Sequence, residues 1–323
     1  MQSIKSILVC GVLLAIFAAE AQAVMMNWSA VADAGNAADP LTGFGAVPYA
    51  YNIGTYDVTV NQYVEFLNIK DPTGANTLGL YDIRMNNTSY GGVSFSAGNA
   101  NGNKYLVVAG RGNHPANASW YDSVRFANWV NNGQGNGDTE TGAYTFGALI
   151  GLGVPLHVPL VRNAGAHVWM PTENEWYKAA YYDPGTSSYF QYPTSSNAIP
   201  IASSPTGLPN HANFYPGGPF RPTDVGAYTG TTSPYGAFDM AGNVWQWNEG
   251  FVSNSRQIGF GGSFLGGPEY SSSSFALASG QPNLAFVDIG IRLASAPGVP
   301  EPSTGMLAVI AAAMLWWWRK RFK

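Results

Sequence analysis

Three segments of the chain carry a helix-capping pair together with apolar residues at helical spacing. In each pair a Ser or Thr hydroxyl can accept from the third helical amide, and an acidic or amide side chain follows three residues later. The pairs are Thr59/Gln62, Ser119/Asp122 and Thr172/Glu175. The accompanying apolar residues are Tyr63, Phe66 and Leu67, then Trp120, Val124 and Val130, then Trp176, Ala179 and Ala180. This pattern predicts three short amphipathic helices.

The rest of the pattern is typical of short strands and polar loops. Residues 47–57 alternate as a half-buried strand does, and residues 104–109 also favour a strand. The Asn- and Gly-rich residues 71–103 predict a loop, and the small, polar residues 24–46 predict a loosely ordered lead-in. We therefore expect an α+β fold with few helices, short strands and long loops.

Composition agrees with an irregular fold and argues against one functional class. Charged residues make up 11% of the 323 residues, whereas typical soluble domains contain about 25%. The chain also has 39 Gly and 21 Pro residues, which favour turns. The formal net charge of −4 provides no basic surface for phosphates, so we expect no nucleic-acid partner.

The N-terminus is typical of a secretion signal. Residues 1–23 combine the positive Lys5, an apolar stretch over residues 7–19, and a small-residue cleavage site at Ala21 and Ala23. The implied partner is signal peptidase. A retained N-terminal anchor is the alternative, although the apolar stretch is short for a membrane span.

The single cysteine, Cys10, lies inside this signal, so the mature protein should contain none. That expectation excludes disulfides, thiolate nucleophiles, and zinc or copper sites built on cysteine. The mature domain must then be stabilised by its core.

The C-terminus resembles the PEP-CTERM sorting signal of Gram-negative bacteria. The motif Pro300, Glu301 and Pro302 precedes an apolar segment over residues 305–318, and a basic tail begins at Arg319. The resemblance implies an exosortase as partner and transient anchoring in the inner membrane by this segment alone. It also implies delivery to the cell surface or extracellular matrix. A plain membrane anchor is the alternative.

Together these features predict four parts of the chain. They are a signal peptide over residues 1–23, the lead-in over 24–46, one domain over 47–296, and the sorting signal over 297–323.

Five stretches within the predicted domain resemble the formylglycine-generating enzyme family, also called the sulfatase-modifying factor family. They are residues 55–59 with Phe66 and Leu67, residues 114–120 with Asp122, residues 170–176, residues 235–247, and residues 261–264 with 290–292. The five occur in the family's order. The resemblance implies an irregular, C-type-lectin-like α+β fold.

The resemblance does not carry the family's copper chemistry with it. The two copper-binding cysteines of the family fall at Gly266 and Ser271. Neither residue can bind cuprous copper as a thiolate does. We therefore expect no copper, no catalytic residues of the family type, and no oxidase activity.

The resemblance does imply structural calcium. The implied ligand positions are Asp239, Gly242, Val244 and Gln246 for one ion, with Asn213 and Phe214 for a second. Gln246 replaces the Glu of the family, which should weaken affinity. An alternative for Asp239 is that its side chain caps a turn.

Three other features have structural explanations that we prefer. Trp245 and Trp247 lie two positions apart, which places both on one side of a strand and favours core packing over a ligand platform. Glu173 and Glu175 suit a helix N-terminus better than acid–base catalysis. Arg292 is interpreted as an ion-pair partner inside the fold.

The histidines are His114, His157, His167 and His211, and their spacing does not indicate a metal site. We interpret them as surface or hydrogen-bonded residues.

Three functions remain open. The first is a non-catalytic surface protein whose loops over residues 71–103, 131–168 and 185–222 bind glycans, peptides or matrix polymer. The second is an enzyme of unknown type on the same scaffold. The third is a structural component of an extracellular matrix.

Overall fold

The three capped segments form the helices of the computed structural model. The structure describes residues 23–87, 89–147, 160–252, 256–275 and 278–298. Within these ranges the α-helices are α1 (Val60–Lys70), α2 (Trp120–Asn131) and α3 (Glu173–Tyr181). Each helix begins one residue after its predicted cap, so the three helix predictions are confirmed.

The capping geometry at α1 is reciprocal. The Gln62 amide donates to the Thr59 hydroxyl at 3.3 Å, and the Thr59 amide donates to Gln62 Oε1 at 2.7 Å. Thr172 and Glu175 form the same reciprocal pair at α3. These bonds satisfy amides that would otherwise be unpaired at a helix start.

The predicted apolar faces are buried, except that Val130 is half-buried. Between α1 and α2, the ring of Phe66 lies 5.3 Å from the rings of Phe126 and Trp129, centroid to centroid. Aromatic packing of this kind stabilises a core beyond the area that it buries.

Short strands make up most of the remaining regular structure. They are β1 (Trp28–Val31), β2 (Tyr51–Gly54), β3 (Val93–Phe95), β4 (Tyr105–Val107), β5 (Val168–Trp169), β6 (Tyr182–Asp183), β7 (Ser188–Tyr189), β8 (Ile201–Ala202), β9 (His211–Ala212), β10 (Trp245–Val252), β11 (Arg256–Phe260), β12 (Ala278–Gly280), β13 (Ile289–Gly290) and β14 (Ala294–Ser295). The predicted α+β class with few helices is therefore confirmed.

Two four-stranded sheets organise the fold. The first is antiparallel in the order β1-β2-β14-β5, and the second has the order β12-β11-β10-β13, with β10 and β13 parallel. The other strands form two-stranded pairs. The chain crosses from the second sheet to the first between β13 and β14.

Residues 24–46 are more ordered than the sequence predicted. β1 pairs with β2 from Trp28 opposite Gly54 to Val31 opposite Tyr51. Upstream, the buried Val24 amide donates to a glutamine side chain at 2.6 Å. Local composition did not reveal this strand because pairing with a distant segment, rather than alternation, stabilises it.

The predicted loop over residues 71–103 also contains regular structure. A 3₁₀ helix spans Ile83–Asn86, and β3 pairs with β4 in an antiparallel ladder. A three-residue strand between Asn- and Gly-rich flanks leaves too short an alternating pattern to detect. The predicted strand over residues 104–109 is confirmed as β4.

The buried guanidinium of Arg292 lies where the chain passes between the two sheets. Its Nη1 donates to the Gly54 carbonyl at 2.5 Å, and its Nη2 donates to the Phe238 carbonyl at 2.7 Å. Its Nε donates to Gln246 Oε1 at 2.7 Å, and Nη2 lies 3.2 Å from Asp57 Oδ1. Both partners of this ion pair are fully buried, which confirms the structural interpretation of Arg292.

Burial raises the pKa of the Asp57 carboxyl, and the guanidinium of Arg292 opposes this rise. The ion pair therefore compensates for a carboxylate that water no longer solvates.

Among the described residues, no helix is both long enough and apolar enough to cross a membrane. The predicted signal before Ala23 and the predicted sorting signal from Pro300 onward lie outside the described residues. Those assignments, and the domain limits tied to them, stay predictions.

Replacing Arg292 with Met should lower the free energy of unfolding by about 3–5 kcal/mol, because Asp57 is left buried without a cation. Urea unfolding followed by tryptophan fluorescence measures the loss. Arg84→Met is the matched control, since Arg84 pairs with Asp82 at 2.6 Å but is 38% exposed. That variant should lose about 1 kcal/mol or less. Equal losses in the two variants would contradict the role given to Arg292.

Candidate functional site

One short loop carries Gly266 and Ser271, where the resemblance predicted that the family's copper-binding cysteines would fall. Gly266 lies two residues before a short 3₁₀ helix, Pro268–Ser271, and Ser271 is the last residue of that helix. Ser271 is fully buried, and its hydroxyl donates to the Pro268 carbonyl at 2.8 Å. A Cβ atom on Gly266 would lie 2.6 Å from Tyr270 Cδ2, well inside van der Waals contact. The Tyr270 ring therefore occupies the space that a side chain at position 266 would need.

Backbone hydrogen bonds hold this loop against the turn at Gly242 and Asn243. The Gly242 amide donates to the Gly261 carbonyl at 2.8 Å, and the Phe264 amide donates to the Asn243 carbonyl at 2.9 Å. Gly242 has a φ of 74°, and a Cβ there would lie 2.6 Å from the Asn213 carbonyl oxygen. Both the backbone conformation and the close approach require glycine at this position.

Three aromatic residues from two distant segments border the loop near Gly266. The rings of Tyr215 and Phe220 lie 5.2 Å apart, and Tyr90 lies 6.4 Å from Phe220. Tyr90 also packs 5.2 Å from the buried ring of Phe264. The Tyr215 amide donates to the Gly266 carbonyl at 2.8 Å, which joins this group to the loop. Tyr215 is 52% exposed and Phe220 is 48% exposed.

A second aromatic group borders the loop at Tyr270. The Tyr270 ring lies 4.8 Å from Phe275 and 6.2 Å from Trp245. Phe275 is 36% exposed, and Trp245 and Tyr270 are half-buried. We call the six residues of the two groups the aromatic band: Tyr90, Tyr215, Phe220, Trp245, Tyr270 and Phe275.

Both tryptophans on β10 pack against the main core, but only Trp247 is fully buried in it. The indole N–H of Trp247 donates to the Ala118 carbonyl at 3.0 Å. Trp245, at the start of β10, is half-buried, and its ring also lies near Tyr270 and Phe275 of the aromatic band.

Gln246 is committed to the buried network around Arg292. Its Oε1 accepts from Trp176 Nε1 at 2.8 Å and from Arg292 Nε at 2.7 Å, so both lone pairs are used. Its Nε2 donates to the Asp239 carbonyl at 2.7 Å. The predicted calcium ligand set was Asp239, Gly242, Val244 and Gln246. The Gln246 oxygen is already used by two donors, which leaves it no lone pair for a calcium ion at this set.

The second predicted calcium position keeps an uncommitted oxygen. Asn213 Oδ1 is buried and has no hydrogen-bond partner among the described residues, and the Phe214 carbonyl accepts from the Gly218 amide at 2.8 Å. A Cβ on Gly218 would lie 2.5 Å from Asn213 Oδ1 and 2.7 Å from the Phe214 oxygen. The two oxygens therefore face the same small space, and they fit two ligand positions of a hard cation.

Asp239 is a buried carboxyl with a single strong donor. Its Oδ2 accepts from the Gly226 amide at 2.6 Å. Burial raises the pKa of Asp239 to about 6, while the Gly226 amide and Arg292 oppose the rise. The side chain thus ties two loops together, which resembles the turn-capping alternative more than a metal ligand.

The paired carboxylates at the start of α3 have the structural role that we preferred. Glu175 is fully buried, where its Oε2 accepts from the Thr172 amide at 2.7 Å. Its Oε1 accepts from the Tyr49 hydroxyl at 2.7 Å and lies 3.1 Å from Arg162 Nη1. Glu173 also lies in the first turn of α3, where burial raises its pKa.

A further carboxylate, Glu249, was missed by the sequence analysis. Its Oε1 accepts from the buried Tyr144 hydroxyl and lies 3.4 Å from Arg162 Nε. Burial raises the pKa of Glu249 to about 7, although Arg162 and Tyr144 oppose the rise. Its position after Trp247 on β10 was the only signal in the sequence.

The histidines described by the structure do not converge. His114 Nε2 lies 3.6 Å from Asp224 Oδ1, and burial lowers the pKa of His114. His211 Nδ1 hydrogen-bonds with a serine hydroxyl at 2.9 Å, and His167 is exposed. His157 lies outside the described residues. Within the ranges that the structure covers, no three His, Cys, Asp or Glu side chains form a group that could hold a metal ion.

Comparison with known families gives a match over most of the chain. Residues 36–297 match the family described as "Sulfatase-modifying factor enzyme 1-like domain".

Curated relatives match over a shorter stretch. The chain is 42% identical over 84 residues to a hercynine oxygenase of Mycobacterium tuberculosis (strain ATCC 25618 / H37Rv). It is 39% identical over 84 residues to a hercynine oxygenase of Mycolicibacterium thermoresistibile. The aligned stretch is 26% of this chain and covers 17% and 16% of these two relatives. The chain thus spans less than a fifth of the length of the curated relatives that it matches.

Solved structures match over nearly the whole domain. "Treponema denticola variable protein 1" has a TM-score of 0.54 at 18% identity, covering 86% of this chain and 98% of that one. CarF has a TM-score of 0.54 at 19% identity, covering 84% and 98%. These likenesses and the family match confirm the predicted C-type-lectin-like α+β fold.

Replacing Asp239 with Asn should raise the free energy of unfolding, relative to the wild type, by more at pH 8 than at pH 5. Folding raises the pKa of Asp239, so its proton is held more tightly in the folded chain and stability falls as pH rises through about 6. The neutral Asn still accepts from Gly226 and avoids this loss. The difference between variant and wild type should therefore grow by about 1.4 kcal/mol from pH 5 to pH 8, since pH 5 lies one unit below the folded pKa.

Urea unfolding at several pH values measures this difference, and the comparison cancels the opposite contribution of His114. Asp138→Asn is the control, since hydrogen bonds from Thr141 and Glu140 lower the pKa of the exposed Asp138. Above pH 5 the free energy of unfolding of this control should change with pH as that of the wild type does. If the free energy of unfolding of Asp239→Asn ran parallel to that of the wild type between pH 5 and pH 8, the raised pKa assigned to Asp239 would be wrong.

Proposed function

The chain belongs to the sulfatase-modifying factor enzyme 1-like domain family, and we propose that it is a non-catalytic binding module of that family. The ligand surface is the aromatic band together with the loop from Gly261 to Ser271. Glycans, peptides and matrix polymers are the ligand classes that suit such a surface.

The observation that carries this proposal is how the space around Gly266 and Ser271 is filled. The family's mechanism needs two thiolates in this loop, whereas here the Tyr270 ring fills the space beside Gly266 and the Ser271 hydroxyl is bonded to Pro268. Cys10, the sole cysteine, lies in the predicted signal. The loop thus supports a packed, ring-lined surface rather than a thiol pair.

The ends of the sequence support an exported location. A signal over residues 1–23 brings the chain to signal peptidase, and the signal over residues 297–323 brings it to an exosortase. Between these steps the apolar segment over residues 305–318 anchors the chain in the inner membrane. The mature domain then acts at the cell surface or in the extracellular matrix, where a binding module can also serve as a matrix component.

The second candidate function is catalysis on the same scaffold. The observation that favours it is the 42% identity, over 84 residues, to a protein named hercynine oxygenase. An enzymatic role would use groups other than thiols, and Glu249 beside Tyr144 is the best placed, since its pKa near 7 suits a general base.

Calcium is proposed only at Asn213 and Phe214, where two oxygens share one space. EDTA should then lower the melting temperature of the wild type, because removing a ligand of the folded state destabilises it. In Asn213→Ala the EDTA-induced shift should disappear, and Gln246→Ala should keep it. If the wild type had the same melting temperature in EDTA as in excess calcium, calcium binding at this position would be excluded.

The full chain, incubated aerobically with copper and a Cys-containing sulfatase peptide, should leave the peptide cysteine unchanged. The physical reason is that no thiolate pair is present to bind cuprous copper. Mass spectrometry of the peptide measures the outcome, with a copper-loaded formylglycine-generating enzyme as positive control.

The double variant Gly266→Cys and Ser271→Cys should also stay inactive, because the Tyr270 ring blocks position 266. Conversion of the cysteine to formylglycine by the wild-type chain would overturn the non-catalytic proposal.

A further inference from the structure

We infer that the aromatic band binds an uncharged polysaccharide. This inference rests on the proposed function, since it names the ligand class of the same surface.

The band exposes rings where a monomeric protein would normally bury them. Tyr215, Phe220 and Phe275 present a third to a half of their surface, and all six rings lie around one loop. Contiguous exposed apolar surface of this kind marks a ligand site. Its members come from residues 90, 215–220, 245 and 270–275, so the fold, and not one local segment, assembles it.

The chemistry of the band suits sugars better than helices or lipids. An aromatic face is electron-rich, and the C–H groups on one side of a pyranose ring carry partial positive charge, so the two surfaces attract when stacked. Aliphatic side chains, which line grooves for amphipathic helices, are represented here by Leu265 alone among the exposed residues of the loop. The hydroxyls of Tyr215, Tyr270 and the exposed Ser274 supply hydrogen-bonding groups at the ring edges.

Charge around the band gives an anionic polymer no net attraction. Between residues 261 and 275 the only charged residue is Glu269, which is exposed. The exposed Arg221 follows Phe220, but the exposed Asp224 lies three positions further on. The whole chain carries a formal charge of −4. An acidic polysaccharide therefore gains no net attraction here, whereas a neutral one needs none.

The two aromatic groups border the loop on either side of Gly266. The Tyr215 amide donates to the Gly266 carbonyl, and the Tyr270 ring packs beside Gly266. A groove of about 790 Å³, lined by residues that include Leu41, Phe190 and Ser274, reaches the residue before Phe275. A polymer can therefore contact both groups at once, which predicts that their contributions combine.

Affinity electrophoresis of the full chain in mild detergent tests the inference. Native gels contain hydroxyethyl cellulose, soluble mannan or starch as neutral probes, and alginate as the acidic probe. At least one neutral probe should retard the wild type, and alginate should not. Phe220→Ala and Phe275→Ala should each weaken the affinity about three- to tenfold, because each removes one stacking ring. The double variant should weaken it further.

Phe95→Ala is the matched control. Phe95 is 38% exposed and packs on Tyr81 and Tyr105, away from the band. It should bind as the wild type does, and near-UV circular dichroism should show that all variants keep the native fold.

Each remaining outcome has a defined consequence. Absence of retardation by every neutral probe, equal retardation by alginate, or equal loss in Phe95→Ala would overturn the polysaccharide assignment. If Phe220→Ala and Phe275→Ala instead abolish binding to an immobilised peptide array, the polysaccharide assignment fails while the binding-module proposal stands. Formylglycine production would overturn the binding-module proposal independently.

Discussion

The guanidinium of Arg292 is wholly removed from water, and its contacts reach four separate parts of the chain. They are the end of β2 at Gly54, the segment after β2 at Asp57, the turn at Phe238, and β10 at Gln246. A buried charge is tolerated only when its partners are all in place. The side chain therefore joins the first sheet, through Gly54, to the second, through Gln246.

The same network positions the loop that the aromatic band borders. Gln246, held by Arg292 and Trp176, donates to the Asp239 carbonyl and so positions the turn that ends at Asn243. The Asn243 carbonyl accepts from the Phe264 amide, and this bond holds the loop against the turn. No band residue is among the described partners of Arg292, so the rings can change without disturbing the support. The scaffold and the exposed rings are therefore held by different contacts.

Much of the fold could be predicted because its signals are local. The capping pairs at Thr59 and Thr172 act within one helical turn, so sequence alone located α1 and α3. β1 was missed because its stability comes from pairing with β2, far along the chain. The role of Gln246 could not be predicted for the same reason. Its side-chain oxygen accepts from Trp176 and Arg292, which lie 70 and 46 positions away along the chain. The aromatic band escaped detection because Tyr90 and Phe220 meet only in the folded chain.

The arrangement of the first sheet has a mechanical consequence. β1 and β14 both run antiparallel to β2 and hence parallel to each other, so the chain enters this sheet at one end and leaves it at the other. Tension between the two ends acts along the strands, across hydrogen bonds that lie perpendicular to them. Those bonds are loaded together, in shear, instead of opening one after another. A tether at either end of such a domain transmits pulling forces with the sheet in its most resistant orientation.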